Sequence, residues 1–139
     1  MGKIKISCTE CFEKSYCFHQ LNKDELFLTN ESRVQVHYKK GETIAKQGSF
    51  VTHILYVKDG TVKVYEEFED KNNLIFSILP EGSLIGLSSL FYTDKFKYSV
   101  AALDSTTICA IDKKVIEQII KDNPNFGASL IESLNKELN

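Results

Sequence analysis

The fold of this chain is decided by residues 53–68, "HILYVKDGTVKVYEEF". Two runs rich in Val, Ile, Leu and Tyr flank Asp59-Gly60, and β-branched and aromatic residues favour strands. Glycine readily adopts the positive φ that a tight hairpin turn requires. The stretch therefore predicts a β-hairpin.

Strand-like segments continue on both sides of this hairpin. From Arg33 onward, short runs rich in Val, Ile, Tyr and Thr alternate with polar turns, and further strands are predicted at residues 74–79, 98–103 and 106–111. A short helical turn is predicted at residues 87–91. Many short strands in one domain are typical of a sandwich or a jelly roll.

Helices are predicted at both ends of the strand-rich region. Residues 23–31, "KDELFLTNE", contain helix formers, and Asn22 stands before them as a cap. Residues 112–123, "DKKVIEQIIKDN", combine an Asp cap with an apolar stripe, and Pro124 ends that helix.

A last helix is predicted to begin near Asn125, where Leu130, Leu134 and Leu138 lie on one face because they are four residues apart. That face either packs on the sheet of its own domain or pairs with a partner. The sequence alone leaves both alternatives open.

Length and composition restrict the class of protein. The chain has 139 residues, of which 42% are hydrophobic and 26% charged, and these values are typical of one soluble globular domain. The net charge of -2 disfavours DNA binding by this chain alone, since phosphate neutralisation usually needs a basic surface. The sequence contains neither a membrane-spanning run nor a signal peptide, so we expect a cytoplasmic location and no membrane partner.

Three segments together closely resemble the sensor domain of bacterial transcription regulators of the CRP/FNR type. They are residues 38–68, residues 79–92 ("LPEGSLIGLSSLFY") and residues 98–111 ("YSVAALDSTTICAI"). The resemblance extends from about Arg33 to the C-terminus, and glycines stand where the jelly roll of that family turns: Gly41, Gly48, Gly60, Gly82 and Gly86. It implies a mainly β fold with flanking helices (α+β), a cyclic-nucleotide-binding-type β-roll.

The resemblance also implies a domain organisation. Residues 1–21 form a cysteine-rich N-terminal segment, and residues 22–123 form the β-roll sensor domain with its flanking helices. Residues 124–139 begin a dimerisation helix, and the helix-turn-helix domain of the family is absent. We therefore expect an excised sensor domain, a homodimer in the full-length regulator, and DNA contact only through a domain absent from this chain.

The segment after Gly86 decides which ligand the β-roll could hold. Cyclic-nucleotide binders of this fold use a glutamate for the ribose and an arginine for the phosphate, but Leu87 and Lys97 stand at or near those positions. These departures count against cyclic AMP, and the segment is either a structural remnant or the site of another small ligand. Such a ligand would contact Gly86, Leu87, Ser88, Ser89, Lys97, Tyr98 and Ser99.

The four cysteines indicate a different kind of site. Cys8, Cys11 and Cys17, together with the distant Cys109, are similar to the ligand set of the FNR branch, in which three N-terminal cysteines and one core cysteine hold a 4Fe-4S cluster. Zinc is an alternative, because these cysteines, or His19 in place of one, satisfy tetrahedral coordination. A chain without metal, in which Cys109 is a buried small hydrophobe, is another.

These observations favour a regulatory rather than a catalytic protein. The sequence has no Ser/His/Asp pattern, P-loop or dinucleotide fingerprint, so we do not expect an enzyme. We expect a sensor of oxygen or redox state that uses a 4Fe-4S cluster. The alternative is a regulatory module that binds a small molecule or a cyclic nucleotide without metal. The acidic residues from Glu66 to Asp70 are expected in a solvated loop after the hairpin.

Overall fold

A computed structural model describes residues 20–69, 73–91 and 93–138 of the chain. The helices are α1 (Lys23–Ser32), α2 (Lys113–Asp122) and α3 (Pro124–Leu138), with a 3-10 helix at Leu87–Leu90. The strands are β1 (Arg33–Tyr38), β2 (Thr43–Ala45), β3 (His53–Asp59), β4 (Val62–Glu67), β5 (Asn73–Leu79), β6 (Leu84–Ile85), β7 (Ser99–Ala102) and β8 (Thr106–Asp112).

The strands form two antiparallel sheets, with the orders β1-β8-β3-β6 and β2-β7-β4-β5. Successive side chains of a strand point to opposite faces of its sheet. Leu55 and Val57 on β3 therefore face the second sheet, where they meet Val64 and Val100 in an apolar core. The predicted jelly roll with flanking helices is confirmed.

The other face of the first sheet is covered by the helices. Ile54 and Tyr56, which alternate with the inward residues of β3, pack here with Ile116 and Phe126 of the helices. The second core thus lies between the β1-β8-β3-β6 sheet and the helical layer. It also contains the residue that the candidate metal site depends on, Cys109.

The chain turns at Gly60 between β3 and β4, but the predicted hairpin is wrong, because β3 pairs with β6 and β8 in one sheet and β4 pairs with β5 and β7 in the other. Sequence alone shows the turn and not which strands pair. Gly60 has a φ of 97°, which disfavours residues with a side chain. A Cβ atom at this position would lie 2.5 Å from the carbonyl oxygen of Ser105. Glycine is therefore required both by the backbone conformation and by the available space.

The predicted helix caps are also present. Asn22 forms a capping box with Glu25 at the start of α1, because each side chain accepts a hydrogen bond from the backbone N–H of the other, at 2.9 and 3.0 Å. Asp112 caps α2 by accepting from the backbone N–H of Lys114 at 2.8 Å.

The apolar stripe of α3 packs largely on its own domain. Leu130 is 1% exposed within the core beneath the helices, and Leu134 packs against the same core. The side chain of Leu138 is outside the described part of the structure. Of the two alternatives for this face, packing on its own domain holds for the first two leucines. Within the described residues, no helix is long and apolar enough to cross a membrane.

Candidate functional site

Cys109 is the predicted metal ligand whose position the structure describes; Cys8, Cys11, Cys17 and His19 lie outside the described residues. Cys109 is in the middle of β8, opposite Gln35 of β1 and Tyr56 of β3. Its side chain is fully buried on the sheet face that the helices cover. Burial alone would fit a cysteine that acts as a small hydrophobe.

The sulfur of Cys109 also has polar neighbours, which a purely hydrophobic role does not require. The Arg33 Nη1 atom lies 3.6 Å from the Sγ atom of Cys109, and the Gln35 Nε2 atom lies 3.8 Å from it. Arg33 is 4% exposed, and its Nε atom donates to the Oδ1 atom of Asn30 at 3.0 Å. A cationic N–H donor beside the sulfur is compatible with a thiolate at Cys109.

These surroundings fit one corner of an iron-sulfur site. Such a cluster needs thiolate ligands, and N–H donors to the sulfur atoms are among the features that tune it. Within the described residues, no group of three or more His, Cys, Asp and Glu side chains could hold a metal ion. The remaining thiolates would therefore come from Cys8, Cys11 and Cys17, which precede α1 in the sequence. Helix α1 contacts β8, so the chain enters the fold in the layer that covers Cys109.

Arg33 and Gln35 were missed by the sequence reasoning. The alternation of β1 places both residues on the same face, because they are two positions apart. However, only the pairing of β1 with β8 brings that face against Cys109. Arg33 and Gln35 are 76 and 74 positions away from Cys109 in the sequence, and no local pattern reveals these contacts.

The predicted small-ligand segment begins with a tight turn. Gly86 has a φ of 94°, and a Cβ atom there would lie 3.2 Å from the Val51 Cγ1 atom. The Leu87 side chain is 1% exposed and belongs to the core beneath the helices. Ser89 donates its hydroxyl hydrogen to the carbonyl oxygen of Gly86 at 2.7 Å, while Ser88 is partly exposed. Leu87 therefore has a packing role where a nucleotide site would need a polar group.

The second half of the segment has different surroundings. Lys97 is exposed, and Tyr98 packs against the core between the two sheets. Ser99 is fully buried, and its hydroxyl donates to the Oε2 atom of Glu67 at 2.7 Å. An anion at Ser99 would meet this carboxylate. Leu87 and Ser99 are thus engaged in packing and in a hydrogen bond, and the small-ligand site stays a prediction.

Glu67 corrects the prediction of a solvated acidic loop. It is the last residue of β4, as that strand continues two residues beyond Tyr65. Its Oε1 atom lies 2.7 Å from the Lys46 Nζ atom, while Oε2 accepts from Ser99. The hydrogen bonds from Lys46 and Ser99 lower the pKa of Glu67, and the bond to Glu67 raises the pKa of Lys46.

Within the described part of the chain, the structure has two cavities whose volume and charge bear on nucleotide binding. One of about 170 Å³ is lined by Ile44, Phe50, Thr52, His53, Leu55, Phe96 and Ala110. Ligand pockets usually measure about 300–1,000 Å³, so this one is small for a nucleotide. An open cavity of about 540 Å³ is lined by Asp59, Gly60, Thr61, Pro80, Glu81, Asp104 and Ser105. The carboxylates of Asp59, Glu81 and Asp104 in this cavity would repel a phosphate group.

Comparisons with known proteins agree with the fold. The family described as "Cyclic nucleotide-binding domain" matches residues 35–123. The "Fumarate nitrate reduction regulatory protein" of Klebsiella oxytoca is 24% identical over 139 residues, which are 99% of this chain and 55% of that protein. The "cGMP-dependent protein kinase" of Plasmodium berghei is 29% identical over 93 residues, 67% of this chain and 10% of that protein.

The crystal structure of the sensor domain of the transcriptional regulator DNR from Pseudomonas aeruginosa has a similar fold. It superposes with a TM-score of 0.83 at 19% identity, covering 94% of this chain and 87% of that chain. This chain spans about half, or less, of the length of the curated relatives named above.

Proposed function

This chain belongs to the cyclic nucleotide-binding domain family and is a regulatory domain of the CRP/FNR type, and we propose that it senses oxygen or redox state through a 4Fe-4S cluster. The proposed ligands are the thiolates of Cys8, Cys11, Cys17 and Cys109. The role is regulatory rather than catalytic. In the full-length regulator, the chain would act as part of a homodimer that contacts DNA through a domain outside these 139 residues.

One observation carries the proposal: the buried sulfur of Cys109 has two N–H donors at 3.6 and 3.8 Å, one of them from the guanidinium of a buried arginine. A neutral thiol in an apolar core needs no such partner. An arginine next to the sulfur instead compensates the charge of a metal-bound thiolate. The alignment with the fumarate nitrate reduction regulatory protein supports the proposal further, since it covers 99% of this chain.

Each residue of the proposed site has a separate task. The cluster, when bound, supplies iron that reacts with oxygen and exchanges electrons. Cys109 would hold the cluster from the centre of β8, and Arg33 and Gln35 would orient its sulfur and offset its charge. The cysteines before α1 would hold the other corners, so metal binding would fix the N-terminal segment against the domain.

Anaerobic reconstitution with iron and sulfide tests this proposal. Absorption spectroscopy and metal analysis should find about four irons per chain, as a 4Fe-4S cluster requires. Cys109→Ala keeps a small apolar side chain in the core and should lose the iron. Ser88→Ala, in the segment proposed for other ligands, is the matched control and should keep it. A colourless wild type without iron, under conditions where a known cluster protein reconstitutes, would refute the proposal, and one equivalent of zinc would replace it with a zinc site.

A further inference from the structure

Asn123 is the single residue between α2 and α3, and its side-chain amide is bonded at both ends. The Nδ2 group donates to the carbonyl oxygen of Gln20 at 2.8 Å and to the Oε1 atom of Glu25 at 2.9 Å. The Oδ1 atom accepts from the backbone N–H of Phe126 at 3.2 Å. One amide therefore joins the start of α1 to the first turn of α3.

The partners on the α1 side are themselves held in place. Glu25 is 7% exposed, and its Oε1 atom also accepts from the backbone N–H of Asn22 at 3.0 Å. A buried carboxylate is stable only while such donors surround it. We call the group of Gln20, Asn22, Glu25, Asn123 and Phe126 the Asn123 junction. Because its members share acceptors and donors, displacement of one leaves a buried polar group of another unsatisfied.

We propose that Asn123 is a positioning residue that couples the segment before α1 to helix α3, so that fixing one end of the junction stabilises the other. Gln20 is three residues after Cys17 in the sequence. The part of this inference that concerns the cluster rests on the proposed function, since cluster assembly is the event that would fix the segment. The link between α1 and α3 itself rests only on the hydrogen bonds described.

Helix capping alone does not explain Asn123. A cap needs an acceptor for the backbone N–H of the first turn, and aspartate provides it as well as asparagine. The two bonds donated by Nδ2 are additional, and only asparagine can make them while it also caps α3. The substitution Asn123→Asp therefore keeps the cap and removes the link to α1.

Hydrogen exchange of the full chain without metal tests the link. In Asn123→Asp, the backbone amides of Glu25 and Leu26 should exchange at least about tenfold faster, because both hydrogen bonds donated by Nδ2 are lost. The amide of Phe126 should change less than about twofold, because its acceptor remains. Asn125→Asp makes the same charge change at an exposed residue of the same turn and should leave α1 unchanged. Unchanged exchange in α1 of Asn123→Asp would overturn the proposal.

Glu25→Ala tests the junction from the other side, and it also serves if Asn123→Asp does not fold. This change removes the Oε1 acceptor, so the amides of Phe126 and Gly127 in α3, which donate to Asn123, should exchange faster. An effect limited to α1 would contradict the coupling.

Reconstitution with iron and sulfide separates this inference from the proposed function. In the wild type, iron binding should slow amide exchange in the first turn of α3; Asn123→Asp should bind equal iron without that effect. If iron binding slows amide exchange in α3 equally in the wild type and in Asn123→Asp, the proposed coupling is wrong, although the cluster proposal is still supported. If the wild type binds no iron, the cluster proposal fails, and the exchange of the metal-free variants still decides whether the junction exists.

Discussion

At the scale of single residues, function depends on which polar groups the fold buries. Arg33 and Ser99 are both almost completely buried, yet each is paired: the guanidinium contacts Asn30 and the sulfur of Cys109, and the hydroxyl donates to the carboxylate of Glu67. Buried polar groups are expensive unless they are paired. The first pair supports the proposed thiolate at Cys109, and the second places a carboxylate beside a residue of the segment predicted to bind a small ligand.

The pair of Lys46 and Glu67 predicts a pH dependence of stability. The folded-state pKa of Glu67 is below its ordinary value of 4.5, so its stabilisation is fully present above that value and is lost as the pH falls through the folded-state pKa. Between about pH 6 and pH 3, the melting temperature of the wild type should therefore fall more than that of Glu67→Gln.

Circular dichroism melts at several pH values measure this difference. Glu66→Gln, at the neighbouring position of β4, is the control and should show the acid dependence of the wild type. If Glu67→Gln and the wild type have parallel profiles, the ion pair has no role in stability.

At the scale of elements, turns and helix faces set the positions of the sites. Gly60 lets β3 turn into β4 against the loop before β8, and the inner face of α3 fixes that helix on the first sheet. Both features follow from local sequence chemistry. Each feature also provides a pair of positions for a mutational comparison: two glycines that differ in surrounding space, and two residues of α3 that differ in exposure.

Two glycines with similar backbone conformations differ in the space around them. Gly60→Ala places a Cβ atom 2.5 Å from the Ser105 carbonyl oxygen, whereas Gly41 has a φ of 90° and no atom within 4 Å of its Cβ position. Gly41→Ala should cost only the strain of the left-handed conformation, about 1–2 kcal/mol. Gly60→Ala should lower the free energy of unfolding in urea by a further amount of about 1–3 kcal/mol. Equal losses would show that the close contact relaxes without cost.

The two sides of α3 also make different predictions. Leu130 is 1% exposed, so Leu130→Ala should cost about 2–5 kcal/mol of the free energy of unfolding. Ile131 is 47% exposed, and Ile131→Ala should change that free energy by less than about 1 kcal/mol in dilute protein. Denaturant unfolding of both variants provides the measurement. A larger loss for Ile131→Ala would show that the outer face is covered in solution.

At the scale of the whole molecule, local and long-range information contribute differently. The turn at Gly60 and the caps Asn22 and Asp112 were predicted correctly, because each depends on residues that are neighbours in the sequence. The predicted pairing of β3 with β4 was wrong, because the two strands belong to different sheets. The contact of Arg33 with Cys109 and the position of Glu67 were not predicted. The first needs the register of two distant strands, and the second needs the true end of β4.

The resemblance to a known family supplied what local patterns could not. It predicted the jelly roll and selected Cys109 as a candidate ligand, and the structure confirms the first and shows the surroundings of the second. The seven residues named for a small ligand remain a prediction, and two of them, Leu87 and Tyr98, pack on different cores. The mode of sensing is thus set by side chains within a fold that relatives share.

Native mass spectrometry of the anaerobically reconstituted chain is the most direct test of the central claim, that Cys109 and the N-terminal cysteines together hold an iron-sulfur cluster. The account predicts a species that carries about four irons and four sulfides in the wild type, and its loss in Cys109→Ala. If the wild type carries no iron, or if Cys109→Ala retains the complete cluster, the claim is contradicted.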